Sequence, residues 1–287
     1  MTQTSNAVKI NRAYKSLYTS KKRYHILTGS RGSLKSTSVH DYLARLSYEK
    51  GIGVLFSRWT LVSAKVSIIP EFREALIRMN AENDFYITNN KVINKRSGSF
   101  ILFMGIKSGS NTNTARLKSI SGINTWVIEE SSDFEDEKIF DIIDDSIRMP
   151  GKQNRVILIL NPTTKEHWIY KRWFEGYAYE KDFKGFDVTM SSHPLVNHIH
   201  TTYHIAANLN YLSSDWIAKA NQAKIEMEKA IEKADDKDKY AIMHSSTYYQ
   251  TYIGGWVKFQ EGAVYKNWTI GEFDESLPYG YGLDYGY

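Results

Sequence analysis

The sequence contains no cysteine, and this absence excludes disulfide bonds and thiolate metal sites. A chain without disulfides fits an intracellular protein best. The sequence also lacks any apolar run near the roughly 20 residues that a membrane-spanning helix needs. Its polar N-terminus does not have the apolar core of a secretory signal peptide. We therefore expect no membrane association.

The composition is otherwise that of an ordinary globular protein. The chain has 287 residues, of which 42% are hydrophobic and 24% are charged, which is enough for one large domain or two modest ones. The net charge is +5. This excess is compatible with a polyanionic partner, although many proteins of this charge bind none.

The segment Ile26–Thr37 carries the most information about chemistry. It consists of a short apolar strand, a Gly/Ser loop, and Lys35-Ser36 at the start of a helix. This is the layout of a phosphate-binding P-loop, in which backbone N–H groups and the helix N-terminus surround anionic oxygens. Lys35 would reach the β- and γ-phosphates of ATP, and the Ser36 hydroxyl would ligate Mg²⁺. The residues predicted to bind the nucleotide are Gly29, Ser30, Arg31, Gly32, Ser33, Leu34, Lys35, Ser36 and Thr37.

One position departs from the usual P-loop pattern, which has Gly immediately before the Lys. Here this position is Leu34. Its side chain must point away from the phosphates, and it restricts the backbone conformations that this position can adopt. An alternative therefore stays open, in which the segment is a plain Gly/Ser turn and Lys35 is solvated.

A second candidate group follows the apolar segment Trp126–Ile128, which is typical of a strand and runs into Glu129 and Glu130. In phosphate-loop enzymes the strand beside the loop ends in an acid that holds Mg²⁺, and the next residue can be the general base for the attacking water. We assign Glu129 to the metal and Glu130 to the water. Two solvated acids at the start of an acidic stretch are the alternative.

Asn161 and Arg31 complete the set of predicted catalytic residues. Asn161 follows the most apolar strand, at an edge that faces the ligand crevice of a parallel sheet, where it would sense the γ-phosphate or the water. A simple Asn-Pro turn is the alternative. Arg31 lies in the loop, where a guanidinium would stabilise the charge that phosphoryl transfer develops. Arg58 and Arg116 are further candidates for this role, with surface salt bridges as the alternative.

The order of apolar and amphipathic segments predicts an α/β fold. Strands alternate with helices from Tyr24 to Lys181, and continuously apolar strands are typical of a mostly parallel sheet with helices on both sides. The predicted strands are Tyr24–Thr28, Gly53–Ser57, Ser99–Met104, Thr125–Ile128 and Arg155–Leu160. The predicted helices are Val8–Tyr18, Ser36–Lys50, Ser63–Asn80 and Lys138–Arg148.

After about Phe183 the pattern changes to a smaller, mainly helical region. Ser191–His200 has the composition of a loop, and Ser214 would cap a long helix with one apolar face. We divide the chain into a core at 1–185, a helical lid subdomain at 186–278 and a short segment at 279–287.

The three motifs, in this order and spacing, resemble the large subunit of tailed-bacteriophage terminase, the motor that packages viral DNA. The resemblance covers nearly the whole chain. Its most specific segments are Gly29–Ser36, Arg116–Gly122, Trp126–Glu130, Asn161-Pro162 and His167-Trp168. An Arg inside the loop and Glu-Glu in place of the commoner Asp-Glu are also features of this family. The resemblance implies a P-loop NTPase core of the ASCE division.

What the resemblance implies about function is a Mg²⁺-dependent ATPase that moves double-stranded viral DNA into a procapsid. The implied partners are double-stranded DNA, the portal protein, the small terminase subunit and further copies of the chain, as a homo-oligomeric ring when assembled and a monomer when isolated. The implied location is the host cell cytoplasm, with transient binding at the portal vertex.

In this family a nuclease domain follows the ATPase, and its first metal-binding Asp lies in a segment similar to Gly282–Tyr287. Two-metal cleavage needs several carboxylates, and one Asp does not supply them. We therefore interpret 279–287 as the start of a nuclease domain that is absent, and expect no nuclease activity from this chain.

Two other functions stay open. A helicase of similar architecture would need a second recA-like domain, for which residues 190–287 look too short and too helical. A nucleotide-dependent module that binds DNA or the portal without turnover stays open because of Leu34. It is disfavoured by Glu129 and Glu130, because binding alone needs no general base.

Overall fold

The computed structural model describes residues 10–59, 68–106 and 121–257. The strands in these ranges are β1 (Tyr24–Gly29), β2 (Gly53–Arg58), β3 (Phe85–Ile87), β4 (Lys91–Asn94), β5 (Phe100–Gly105), β6 (Thr125–Glu129), β7 (Arg155–Ile159), β8 (Ala178–Asp182), β9 (Asp187–Ser191) and β10 (Val196–Thr201). The α-helices are α1 (Lys15–Thr19), α2 (Lys35–Leu46), α3 (Ile68–Arg78), α4 (Glu137–Asp144), α5 (Trp168–Trp173), α6 (His204–Asn208), α7 (Ser214–Glu232) and α8 (Asp236–Ser245). A π-helical turn, Tyr248–Ile253, follows α8.

Eight of these strands form one sheet in the order β10-β1-β7-β6-β2-β5-β4-β3. Neighbouring strands from β10 to β5 in this order are parallel, and β4 and β3 add an antiparallel edge. The remaining pair, β8 and β9, forms a separate antiparallel hairpin. The mostly parallel sheet confirms the predicted α/β fold, and all five strands predicted from apolar runs lie in it.

Helices cover both faces of the sheet, because each central strand directs alternate side chains into two separate cores. On one face, Val127 and Ile157 share a core with side chains of α2 and α3. On the other face, Trp126 and Leu158 share a core with side chains of α4 and α5, and the Trp126 ring stacks on Phe140 at 5.2 Å. The continuous apolar runs in the sequence reflect this burial on both sides.

The prediction of a loop over Ser191–His200 is wrong in its second half, where the chain forms β10. This strand lies at the sheet edge and pairs with β1 in parallel, with Thr28 opposite His200. Polar residues hide the strand in the sequence, since His198 and His200 are held inside the fold by hydrogen bonds to Thr28 as well as by contacts with the rings of Phe174 and Phe183. The sheet therefore extends beyond residue 185, while the division of the chain into domains stays a prediction.

Several helix ends differ from the predictions by about one turn or less. α2 ends at Leu46 and α4 ends at Asp144, each before its predicted end. The N-cap of α7 is Ser213 rather than Ser214, and its hydroxyl accepts a hydrogen bond from the Trp216 N–H. The predicted starts of the first and third helices lie outside the described residues.

The C-terminal region is mainly helical, as predicted. A third core joins α7 to the π-helical turn and includes Ala220, Met227, Tyr248 and Tyr249. Of the α7 side chains, only Ala220 and Met227 are buried, so this helix presents a wide polar surface. In residues 10–59, 68–106 and 121–257, no helix has both the length and the hydropathy that a membrane crossing requires.

Buried histidines make this fold sensitive to acid. His25, His40 and His200 are 0%, 1% and 6% exposed. Burial lowers the pKa of His25 and of His40 to about 4, and it is the main reason that the pKa of His200 lies well below its usual value. Above pH 6.5 these groups are neutral in the native and the unfolded chain. Below it the unfolded chain gains protons that the native chain does not, so stability falls.

We therefore expect the free energy of unfolding to fall by about 1.4 kcal/mol per pH unit for each of these histidines between about pH 6.5 and pH 4. Urea unfolding, followed by circular dichroism from about pH 7.5 to pH 4.5, measures the slope. A His40→Phe variant should show a smaller slope, because one of the three groups is gone. Equal slopes in the two proteins would contradict a neutral, buried His40.

Candidate active site

The connection between β1 and α2 has the geometry that the P-loop prediction requires. β1 ends at Gly29 and α2 begins at Lys35, so a five-residue loop leads from a buried strand into a helix N-terminus. Backbone N–H groups at such an N-terminus have no partner within the helix and are available to an anion.

Leu34 occupies the Gly position of the pattern with the backbone that Gly favours. Its conformation is left-handed, with φ 64° and ψ 23°, and its carbonyl accepts a hydrogen bond from the Ser38 N–H at 2.9 Å. This conformation costs a residue with a Cβ about 1–2 kcal/mol. Strain of this kind persists where the surroundings enforce it, which is common at ligand sites.

The Lys35 ammonium lies inside the loop rather than in solvent. Its Nζ donates to the carbonyls of Gly29 and Ser30 at 3.0 and 2.8 Å, to Ser33 Oγ at 3.3 Å and to Asn161 Oδ1 at 2.8 Å. Lys35 is 8% exposed, and burial lowers its pKa to about 7. Lys35 is therefore not solvated, contrary to that part of the alternative.

The loop opens into a cleft of about 470 Å³ at the carboxyl ends of β1, β7 and β6, which we call the loop cleft. It is lined by Ser30, Arg31, Gly32, Ser33, Leu34, Lys35, Ser36, Thr37, Arg58, Glu71, Glu129, Glu130, Ser132, Ile159, Leu160 and Asn161. Every predicted site residue except Gly29 belongs to this set. Gly29 lies beneath the loop, where a Cβ would be 1.9 Å from Thr201 O.

The strand that carries the two acids is not the neighbour of β1, so that part of the prediction is wrong. β7 lies between β1 and β6. Asn161 follows β7 and bonds Lys35 directly, which places an amide between the ammonium and the acids. The acids still reach the same cleft, because parallel strands end at one edge of a sheet.

Glu129, the predicted metal ligand, is held by Arg58. Its Oε2 accepts from Arg58 Nε at 2.8 Å and lies 2.7 Å from Nη2, and its side chain is 4% exposed. Arg58 thus lines the cleft and pairs with a buried acid, and it does not form the surface salt bridge that was the alternative. Ligand atoms of His40, Glu71 and Glu129 lie within 4.8 Å of one another. Partial burial and then the charge of Glu129 raise the pKa of Glu71.

Glu130, the predicted base, follows β6 directly and has a left-handed backbone with φ 51° and ψ 45°. In a continued strand the pleat would send Glu129 and Glu130 to opposite faces. The change of conformation instead lets both line the loop cleft. Glu130 is exposed and pairs with no described cation, so its oxygens are accessible from the cleft.

Arg31, the predicted arginine of the loop, is exposed at the cleft. Its backbone N–H donates to Thr251 O at 3.3 Å, and its side chain pairs with no described carboxylate. Arg116 and the segment Gly282–Tyr287 lie outside the described residues.

Sequence reasoning missed the side chains that support the loop from below. Tyr14 donates its hydroxyl hydrogen to Ser33 O at 2.6 Å and lies 2.7 Å from Thr201 Oγ1. The Ser30 N–H donates to Thr201 O at 3.2 Å. Tyr14 is fully buried, yet it sits in a short polar stretch whose pattern gives no sign of contact with the loop.

A comparison with protein families decides the relationship of this chain. Residues 21–247 match the family described as phage terminase large subunit. The chain belongs to this family. Membership favours a terminase over the helicase alternative, and it agrees with the resemblance drawn from the three motifs.

Solved terminases have a similar fold. The large terminase of a thermophilic bacteriophage is 12% identical, with a TM-score of 0.56 over 88% of this chain and 53% of that one. The complex of that same terminase with ADP is 15% identical, with a TM-score of 0.54 over 88% of this chain and 53% of that one. The ATPase domain of the Thermus phage P74-26 large terminase is 11% identical, with a TM-score of 0.55 over 87% of this chain and 94% of that one. No curated protein matches the chain.

These identities show a shared fold and no more. This terminase chain spans about half of the first of these proteins, with 53% of that chain covered. By contrast it corresponds to nearly all of the P74-26 ATPase domain, with 94% covered. The described part of the chain therefore has the ATPase-domain fold of large terminases.

The ion pair in the loop cleft leads to a stability prediction. An Arg58→Met variant keeps an apolar side chain but leaves the buried Glu129 carboxylate without a partner. We expect the free energy of unfolding to fall by about 2–4 kcal/mol. Adding Glu129→Gln should restore part of this loss, because a neutral amide needs no counter-charge. Urea unfolding of both single variants and the double variant measures the coupling, and strictly additive losses would exclude it.

Proposed function

We propose that this chain is the ATP-hydrolysing part of a motor that drives double-stranded viral DNA into a procapsid. The observation that carries the proposal is the convergence of Lys35, Asn161, Glu129 and Glu130 on one cleft at the carboxyl end of the sheet. A buried cation, an amide and two acids are the groups that phosphoryl transfer to water uses.

Lys35 would bind the β- and γ-phosphates by exchanging its present acceptors for phosphate oxygens. Those four acceptors are all uncharged. A phosphate would therefore bring a full negative charge to a cation that now has only neutral partners, in surroundings where charges interact more strongly than in water. This difference favours an anionic ligand at the loop.

Ser36 and Glu129 fit a Mg²⁺ ion, because both supply oxygen donors to the loop cleft. When bound, Mg²⁺ would neutralise charge on the β- and γ-phosphate oxygens. Both contacts with Arg58 use Glu129 Oε2, so Oε1 would be the oxygen that takes part while the ion pair with Arg58 remains. The Arg58 guanidinium also lines the loop cleft.

Glu130 would accept the proton of the attacking water, and Asn161 would orient the γ-phosphate or that water. Glu130 is suited to this role because its carboxylate is exposed in the cleft, unlike the buried and paired Glu129. Arg31 would stabilise the charge that develops on the transferred group. The two neighbouring acids thus have different roles because their surroundings differ.

The nucleoside would occupy a second cleft of about 570 Å³, which we call the side cleft. It shares Leu34 and Thr37 with the loop cleft, so the two clefts adjoin. Apolar side chains of the C-terminal region, Ile205, Leu209 and Tyr211, contribute to its lining. An adenine ring needs such a surface on which to stack.

The partners follow from family membership and remain part of the proposal. They are double-stranded DNA, the portal protein, the small terminase subunit and further copies of the chain in a ring. The net charge of +5 is consistent with contact to the DNA backbone. The site of action would be the host cytoplasm, at the portal vertex of the procapsid.

Steady-state ATP hydrolysis with Mg²⁺ tests this function. We expect Lys35→Ala to abolish nucleotide binding, and Glu130→Gln to retain binding while turnover falls by roughly 10²–10⁴-fold. Glu135→Gln is the matched control, because this exposed acid lies nearby and outside the loop cleft. Near-normal turnover in Glu130→Gln would remove the base assignment. Binding without turnover in the unmodified chain would support the non-hydrolysing alternative.

The side cleft gives a separate prediction. Leu209→Glu places a charge at an exposed position on its rim, and we expect ATP affinity to fall by roughly tenfold while inorganic triphosphate is bound as before. Leu195→Glu, also at an exposed leucine but at the opposite end of β1, should change neither affinity. Calorimetric titration with both ligands measures this. Parallel losses for ATP and triphosphate would place the nucleoside elsewhere.

A further inference from the structure

A short segment that begins at the last residue of the π-helical turn, Ile253–Val257, lies against the back of the phosphate-binding loop, and we call it the strap. Gly254 approaches so closely that a Cβ on it would be 2.3 Å from Gly29 C and 2.4 Å from Ser30 N. Its φ is 72°, a region that Gly enters without strain. The strap and the loop are therefore in backbone contact.

The strap also contacts the chain that follows Asn161. The Val257 N–H donates to Thr163 O at 3.0 Å, and Val257 O accepts from the Lys165 N–H at 2.9 Å. At its other end, Ile253 belongs to the core that contains the buried face of α7. One segment thus joins the loop, the Asn161 segment and the C-terminal helical region.

A buried hydrogen-bond relay fixes the strap to β1 immediately before the loop. Thr28 Oγ1 lies 2.7 Å from His198 Nε2 and 2.9 Å from His200 Nδ1. His200 Nε2 lies 3.1 Å from Ile253 O. Thr28 is followed directly by Gly29, so the relay starts one residue from the loop.

The direction of every hydrogen bond in this relay is determined by its ends. The Ser191 N–H donates to His198 Nδ1 at 3.1 Å, so His198 carries its proton on Nε2 and donates to Thr28. Ile253 O can only accept, so His200 donates from Nε2 and receives the Thr28 hydroxyl hydrogen at Nδ1. Both rings are neutral, and both ring nitrogens of each are satisfied.

We propose that Thr28 and His200 are positioning residues that link the phosphate-binding loop to the strap, so that a nucleotide at the loop alters the strap. The relay has one self-consistent arrangement, and a displaced loop must carry the strap with it or leave buried donors unpaired. The strap would pass this displacement to the Asn161 segment and to α7. The nucleotide-dependent part of this proposal rests on the proposed ATP site.

Amide hydrogen exchange of the full chain, with and without ATP-γ-S and Mg²⁺, tests the link. In the unmodified protein we expect bound nucleotide to slow exchange in peptides that cover the loop and in peptides that cover the strap. Thr28→Val, which keeps the side-chain shape and removes the hydroxyl, should keep the effect at the loop and lose it at the strap. Thr28→Ser should retain both effects, because the hydroxyl remains.

The matched control is Asn197→Ala. Asn197 Nδ2 lies 3.1 Å from His25 Nδ1, so this variant also removes a side-chain link between β1 and β10, but at the end of the strands away from the loop. Slowing at the strap should persist in this variant. The proposal would be overturned if nucleotide still slowed amide exchange at the strap of Thr28→Val. It would also be overturned if Asn197→Ala lost this slowing to the same extent as Thr28→Val.

Two further measurements separate this proposal from the ATP site itself. Without nucleotide, the strap of Thr28→Val should exchange about tenfold faster than that of Asn197→Ala, because two buried groups have lost their partner. This comparison stands even if the unmodified chain binds no ATP, and equal rates would overturn the relay. If Thr28→Val does not fold, Gly254→Ala, which forces the strap away from the loop, should show the same loss of slowing, and retained slowing would overturn the link.

Discussion

The burial of Lys35 among uncharged oxygens is the constraint on which the rest of the site depends. No described carboxylate bonds its ammonium, whose four acceptors come from its own loop and from Asn161. Burying a cation in this way is costly, and the cost is reduced only by well-placed hydrogen bonds. The loop must therefore be held in place from several sides, by Tyr14, by β10 and by the strap.

The buried negative charge in the cleft, on Glu129, differs from Lys35 in having a charged partner. Glu129 is buried and paired through Oε2 with Arg58, whereas Lys35 has only dipoles as partners. A nucleotide with its metal ion offers an anion to Lys35 and a second cation to Glu129. Binding would therefore give Lys35 the charged partner that it now lacks. The two left-handed non-glycine residues at the cleft, Leu34 and Glu130, mark where the backbone is strained to allow this geometry.

The central strands, the loop and the acids could be predicted because each has a local signal. Strands buried on both faces are continuously apolar, and a Gly/Ser loop between an apolar strand and Lys35-Ser36 is the pattern of a phosphate-binding loop. β10 could not be predicted, because its histidines are stabilised by hydrogen bonds to Thr28, a residue far away in sequence. The partner of Glu129 was equally hidden, since only the sheet order brings Arg58 to it.

The same hidden strand explains how a small C-terminal region can influence the loop. An edge strand made of apolar residues alone would hold β1 without selecting one arrangement of its neighbours, because apolar packing is not directional. Hydrogen bonds through Thr28 and His200 are directional, and they end on the strap carbonyl of Ile253. Polar residues at these positions thus weaken the signal of a strand in the sequence, and in exchange they join the loop to one defined position of the strap. The feature that made β10 unpredictable is the feature that gives it a role beyond completing the sheet.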